Sequence, residues 1–62
     1  MKPDWKDAPE WANWLTMDKD GTWKWHMNVP VMYKDSWVSG SMSRHASYSD
    51  VIDWEESDEA RP

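Results

Sequence analysis

The chain has 62 residues, a net charge of −5, no cysteine and only two histidines, His26 and His45. That length holds one small domain, and the composition excludes a disulfide staple and makes a histidine-built zinc staple unavailable. Seven tryptophans and two tyrosines, with no phenylalanine, must carry much of the burial. Leu15, Val29, Val31, Val38, Val51, Ile52 and the five methionines are expected to add to that core.

Charge is segregated. Residues 1–49 carry six basic and six acidic side chains, whereas residues 50–62 carry six acidic ones against Arg61 alone. The body is therefore neutral and the end acidic. No apolar run is long enough to span a membrane, and Met1-Lys2-Pro3-Asp4-Trp5 lacks a signal-type apolar region. The expectation is a cytoplasmic protein starting at Met1, with a flexible arm at 1–7, one domain at 8–54 and a mobile acidic tail at 55–62.

In chain order, Pro9 and Glu10 suit a helix start, and Trp11, Trp14 and Leu15 fall on one helical face. A short N-terminal helix is expected there. Thr22 to Val29 alternates strictly, with Trp23, Trp25, Met27 and Val29 on one face and Thr22, Lys24, His26 and Asn28 on a polar one. Asp18-Lys19-Asp20-Gly21 turns into that strand. A three-residue loop, Lys19-Asp20-Gly21, pairs Met17 with Trp23 and Leu15 with Trp25, keeping apolar residues together, with Gly21 left-handed. A two-residue loop would mix the faces.

Pro30 marks a bend or an edge before Val31-Met32-Tyr33, and Ser36-Trp37-Val38-Ser39 reads as a further strand. The serine-rich stretch 39–49 is aperiodic and reads as a loop. Residues 51–54 fit either a fourth strand or one helical turn capped by Ser49. The fold class is mainly β, a small α+β unit: an antiparallel meander of three to four short strands with a short N-terminal helix.

The chemistry-bearing patterns are sparse. Asp18-x-Asp20-Gly21 resembles the start of a calcium loop, but the glutamate such a loop needs about nine residues later is replaced by apolar sequence. His26 and His45, even with serines around His45, lack a nucleophile elbow and the volume for a shaped pocket. No catalytic residue, cofactor or metal is expected, and the protein is read as a non-enzyme. A neutral body with an acidic tail argues against direct nucleic-acid binding. One short helix and a small sheet cannot hide seven tryptophans, so an exposed aromatic patch is expected. Trp23 and Trp25 are read as internal. Trp5, Tyr33 and Trp37 are the candidate partner-binding aromatics, helped by Glu55, Glu56, Asp58 and Glu59 of the tail.

The order Trp11-x-x-Trp14, Asp18-x-Asp20-Gly21-x-Trp23-x-Trp25, Pro30, a later tryptophan, and Trp54-x-x-Ser57-x-Glu59-x-Arg61-Pro62 resembles small tryptophan-rich proteins of tailed bacteriophages and prophages. The resemblance covers about residues 5–62, is poorest over the serine-rich stretch, and lacks the leucine expected near Asp58. It implies a phage origin and a small β-rich fold, with no catalytic residues. It also implies an accessory role in the host cytoplasm, binding a host or phage protein. A structural component acting as a homo-oligomer and an acidic mimic of nucleic acid are the alternatives. Trp14 and Trp37 also resemble the tryptophan pair of WW domains, in architecture only: the proline expected after Trp37 is missing, and Trp23-Lys24-Trp25 replaces the usual tyrosine run.

Overall fold

A computed structural model describes residues 2–51 and 53–62. It is mainly β, with six strands and two single 3-10 turns among those residues. Strands β1 (Trp14–Met17) and β2 (Thr22–His26) form the central hairpin. Leu15 faces Trp25 and Met17 faces Trp23, the register expected from keeping apolar residues on one face. The loop is the three-residue form. Gly21 N–H donates to Asp18 C=O at 2.9 Å, Asp18 N–H donates to Thr22 C=O at 2.8 Å, and Gly21 has φ +92°.

The four-stranded sheet has the order β5-β2-β1-β6, and β3 (Val31–Tyr33) and β4 (Ser36–Val38) form a separate two-stranded ribbon. The chain therefore leaves β2, builds the ribbon, and returns as β5 (Ser43–Tyr48) on the far edge of β2. All pairings are antiparallel.

Three local expectations are corrected. The expected N-terminal helix is replaced by strand. Pro9 opens only one turn, closed by Ala12 N–H on Pro9 C=O at 3.0 Å, and Asn13 already bonds His26 C=O at 2.9 Å. The spacing of Trp11, Trp14 and Leu15 matched a helix, but pairing with β2 dominates local periodicity. Among the described residues, the helical turn near that end is the 3-10 turn Trp5–Asp7, capped by Asp4.

The serine-rich stretch, expected as a loop, contains β5. Its side chains are mostly exposed, so no apolar alternation announces it; the backbone ladder with β2 holds it, with a bulge opposite Trp23 and Lys24. The polar face of β2 is also not solvated, because the ribbon covers it: His26 is only 1% exposed.

The choice of strand or turn at 51–54 includes Ile52, outside the described residues; the second 3-10 turn is Trp54–Glu56. Met1 is likewise outside them. In the tail, β6 (Glu59–Ala60) pairs with β1. Arg61 N–H donates to Asn13 C=O at 2.8 Å, and its Nη1 donates to Ala12 C=O at 2.6 Å.

The core lies on one face of the sheet. Ala12, Leu15, Met17, Trp23 and Trp25 are buried there, with Trp5, Ala8, Trp11 and Trp54 packed over them. Trp5 meets Trp25 tilted, with ring centroids 4.9 Å apart. That core is narrower than expected, because Val29, Val31, Val38, Val51, Met27, Met32 and Met42 are all exposed. Among the described residues, no helix is long and apolar enough to cross a membrane.

Candidate interaction surface

The second face of the β1–β2 hairpin carries Thr16, Lys24 and His26, and the ribbon is fastened over it by polar contacts. Asp18 Oδ1 accepts the Trp37 N–H at 2.9 Å, and Lys24 Nζ donates to the Trp37 C=O at 2.6 Å. Asp18 and Lys24 also pair directly at 3.1 Å, both side chains 13% exposed. The ion pair thus substitutes for a neighbouring strand, engaging both peptide groups of one β4 residue.

Beside it, His26 lies between two hydroxyls, with Thr16 Oγ1 at 2.8 Å from Nε2 and Ser39 Oγ at 3.1 Å from Nδ1. A neutral imidazole has one donor and one acceptor, and hydroxyls serve either, so both nitrogens are satisfied. Burial, aided by the nearby Lys24 ammonium and opposed by Asp18, lowers the His26 pKa from 6.5 to about 4. With hydroxyls on both sides, the ring bridges Thr16 of β1 to Ser39 just after β4.

The two aspartates of the turn are similarly committed. Asp18 holds Trp37 and Lys24, and Asp20 Oδ1 accepts the Thr22 N–H at 3.0 Å. Hydrogen bonding from Thr22 keeps the Asp20 carboxyl below its usual range.

With Trp37 drawn inward, the opposite side of the ribbon faces outward. Val31 and Val38 are direct cross-strand partners, and Tyr33 lies two residues along β3 on the same side. They are 58%, 40% and 59% exposed. Val29, Met27 and Met42 are also exposed, and Met27 N–H bonds Met42 C=O at 3.0 Å.

Of the expected binding aromatics, Tyr33 is on this surface. Trp37 is not: it is 6% exposed, and its indole N–H donates to Trp54 C=O at 3.0 Å. Trp5 is half-buried, its indole N–H donating to Glu59, which also pairs with Lys2. The Lys2 ammonium lowers the Glu59 pKa, against desolvation that outweighs the further lowering by the Trp5 indole. Glu55, Glu56 and Asp58 are exposed. All seven tryptophans are buried or half-buried. Sequence reasoning missed Val31 and Val38 because alternation shows which residues share a face, not which face is covered.

A shallow cavity of about 490 Å³ lies between the N-terminal segment and β5, lined by Lys2, Asp4, Asp7, Trp25, Arg44 and His45 among others. Of its cations, Lys2 pairs with Glu59, and Arg44 lies 5.7 Å from the Trp11 ring centroid.

Comparison of the chain with models of protein families, with curated proteins and with solved structures finds no match.

Proposed function

We propose that this chain is a small, non-enzymatic binding module that docks a protein partner on the outer face of the β3–β4 ribbon. One observation carries the reading: Val31, Tyr33 and Val38 are exposed together on one face, while Trp5, Trp11, Trp23, Trp25 and Trp54 are drawn into or against the core. Exposed apolar side chains grouped on one element mark interaction surfaces more often than scattered ones do. The resemblance to phage tryptophan-rich proteins adds the class: an accessory protein acting in a bacterial host cytoplasm on a host or phage protein. Glu55, Glu56 and Asp58 supply a separate negative surface that favours partners with a basic rim.

The test is affinity capture from bacterial lysate with the full chain and with a Val31→Thr, Tyr33→Ser, Val38→Thr variant. These positions are exposed, so the variant retains its fold, checked by tryptophan fluorescence. The expected result is one protein retained by the parent and lost by the variant. Equal retention by both places binding elsewhere. No partner, with a defined oligomer on light scattering, favours a structural component instead.

A further inference from the structure

The ribbon has one satisfied edge and one open edge. Met32 and Trp37 are cross-strand partners, and the Trp37 N–H and C=O leave the ribbon to meet Asp18 and Lys24. At such an antiparallel position both partners direct their peptide groups outward. The Met32 N–H and C=O therefore point away from β4, along the free edge of β3. Among the described residues nothing bonds them, and Met32 is 42% exposed. An edge with unpaired peptide groups is a template for another strand.

Charge at this edge is simple. Between residues 27 and 43 the charged side chains are Lys34 and Asp35. Asp35 is paired with Lys19 at 3.7 Å. Lys34 has no carboxylate partner among the described residues, and its ammonium lies 5.4 Å from the Tyr33 ring centroid. Lys34 also has φ +56°, a conformation that glycine or asparagine adopts more easily, in the turn that ends β3.

Building on the reading of the ribbon as the binding surface, the geometry points to strand addition: the partner supplies one extended segment antiparallel to β3. Its central residue bonds both peptide groups of Met32, and its two neighbours place apolar side chains beside Val31 and Tyr33. Two positions before the centre it carries a carboxylate beside Lys34. Antiparallel pairing is the better geometry because one partner residue then satisfies both Met32 groups. A second copy of the chain fits less well: β3 against β3 in that register sets Pro30 opposite Lys34 and leaves the ammonium uncompensated.

The test titrates the isotopically labelled full chain with a blocked peptide, Thr-Glu-Val-Thr-Val-Thr, and follows the Met32 and Tyr33 amides by NMR. One control peptide has lysine in place of glutamate, and another is N-methylated at the central threonine. The Met32→Pro variant removes the donor at an edge position where the ribbon's own ladder does not use it.

The glutamate peptide is expected to shift the Met32 amide and to bind about two- to fivefold more tightly than the lysine peptide. The N-methyl peptide and the Met32→Pro variant are expected to lose saturable binding. Three results overturn strand addition: no Met32 shift at millimolar peptide, equal binding of the N-methyl peptide, or a dimer already protecting the Met32 amide without peptide. If the Val31, Tyr33, Val38 variant loses its lysate partner while Met32→Pro keeps it, the binding surface stands and strand addition alone fails.

Discussion

Asp18 and Lys24 engage both backbone groups of one residue, Trp37: the carboxylate takes its N–H at 2.9 Å and the ammonium reaches its C=O at 2.6 Å. Removing one member leaves the other charge poorly compensated beneath the ribbon. Each of Asp18→Ala and Lys24→Ala is expected to destabilise the fold by about 3 kcal/mol. The double variant should lose less than the sum, because the pair interacts directly. Urea denaturation of the four proteins checks this; full additivity would mean that the pair does not act as a unit.

Buried His26 predicts an acid-sensitive fold. Its pKa is about 4 when folded, against 6.5 as its ordinary value, so between those values the unfolded chain binds more protons. Its contribution is complete above about pH 6.5 and falls away as pH drops through the folded value. The difference corresponds to on the order of 3 kcal/mol. Denaturation midpoints at pH 7, 5.5 and 4.5 should fall steadily for the parent, and His26→Gln should flatten that slope.

Gly21 joins the hairpin turn to the segment following β5. A Cβ on Gly21 would lie 2.2 Å from the Ser49 carbonyl oxygen, and its φ of +92° is poorly suited to other residues. Gly21→Ala is expected to destabilise by about 2 kcal/mol or more. A denaturation midpoint unchanged from the parent would contradict the close approach of Ser49 to this turn.

The C-terminal segment also holds the N-terminal one. Glu59 accepts from Trp5 and Lys2, and Arg61 donates to Ala12 C=O with its guanidinium 5.7 Å from the Trp5 ring centroid. Truncation after Asp58 is expected to expose Trp5, red-shift the tryptophan emission and destabilise by about 2 kcal/mol. Emission identical to that of the parent would show that Trp5 is held without these contacts.

The central hairpin was legible because Gly21 and the alternation around Trp23 and Trp25 agree on a single register. β5 was not, because Ser43 to Tyr48 are held by backbone pairing and their side chains carry no pattern. β6 is two residues long and is defined by a distant partner, β1, which no local signal reveals. For the candidate site, Tyr33 was legible as an exposed aromatic. Trp37 was not, because its burial depends on the Asp18–Lys24 pair turning the ribbon inward. The same contact leaves Val31 and Val38 outside, where composition alone had counted them as core.

The binding surface is tested most directly by photocrosslinking at two exposed tyrosine positions, Tyr33 on the ribbon and Tyr48 on β5, 59% and 70% exposed. A benzophenone amino acid replaces each in turn, and the irradiated lysate is analysed for covalent adducts. The account predicts one specific adduct from position 33 and none from position 48. An adduct from position 48 alone would contradict it.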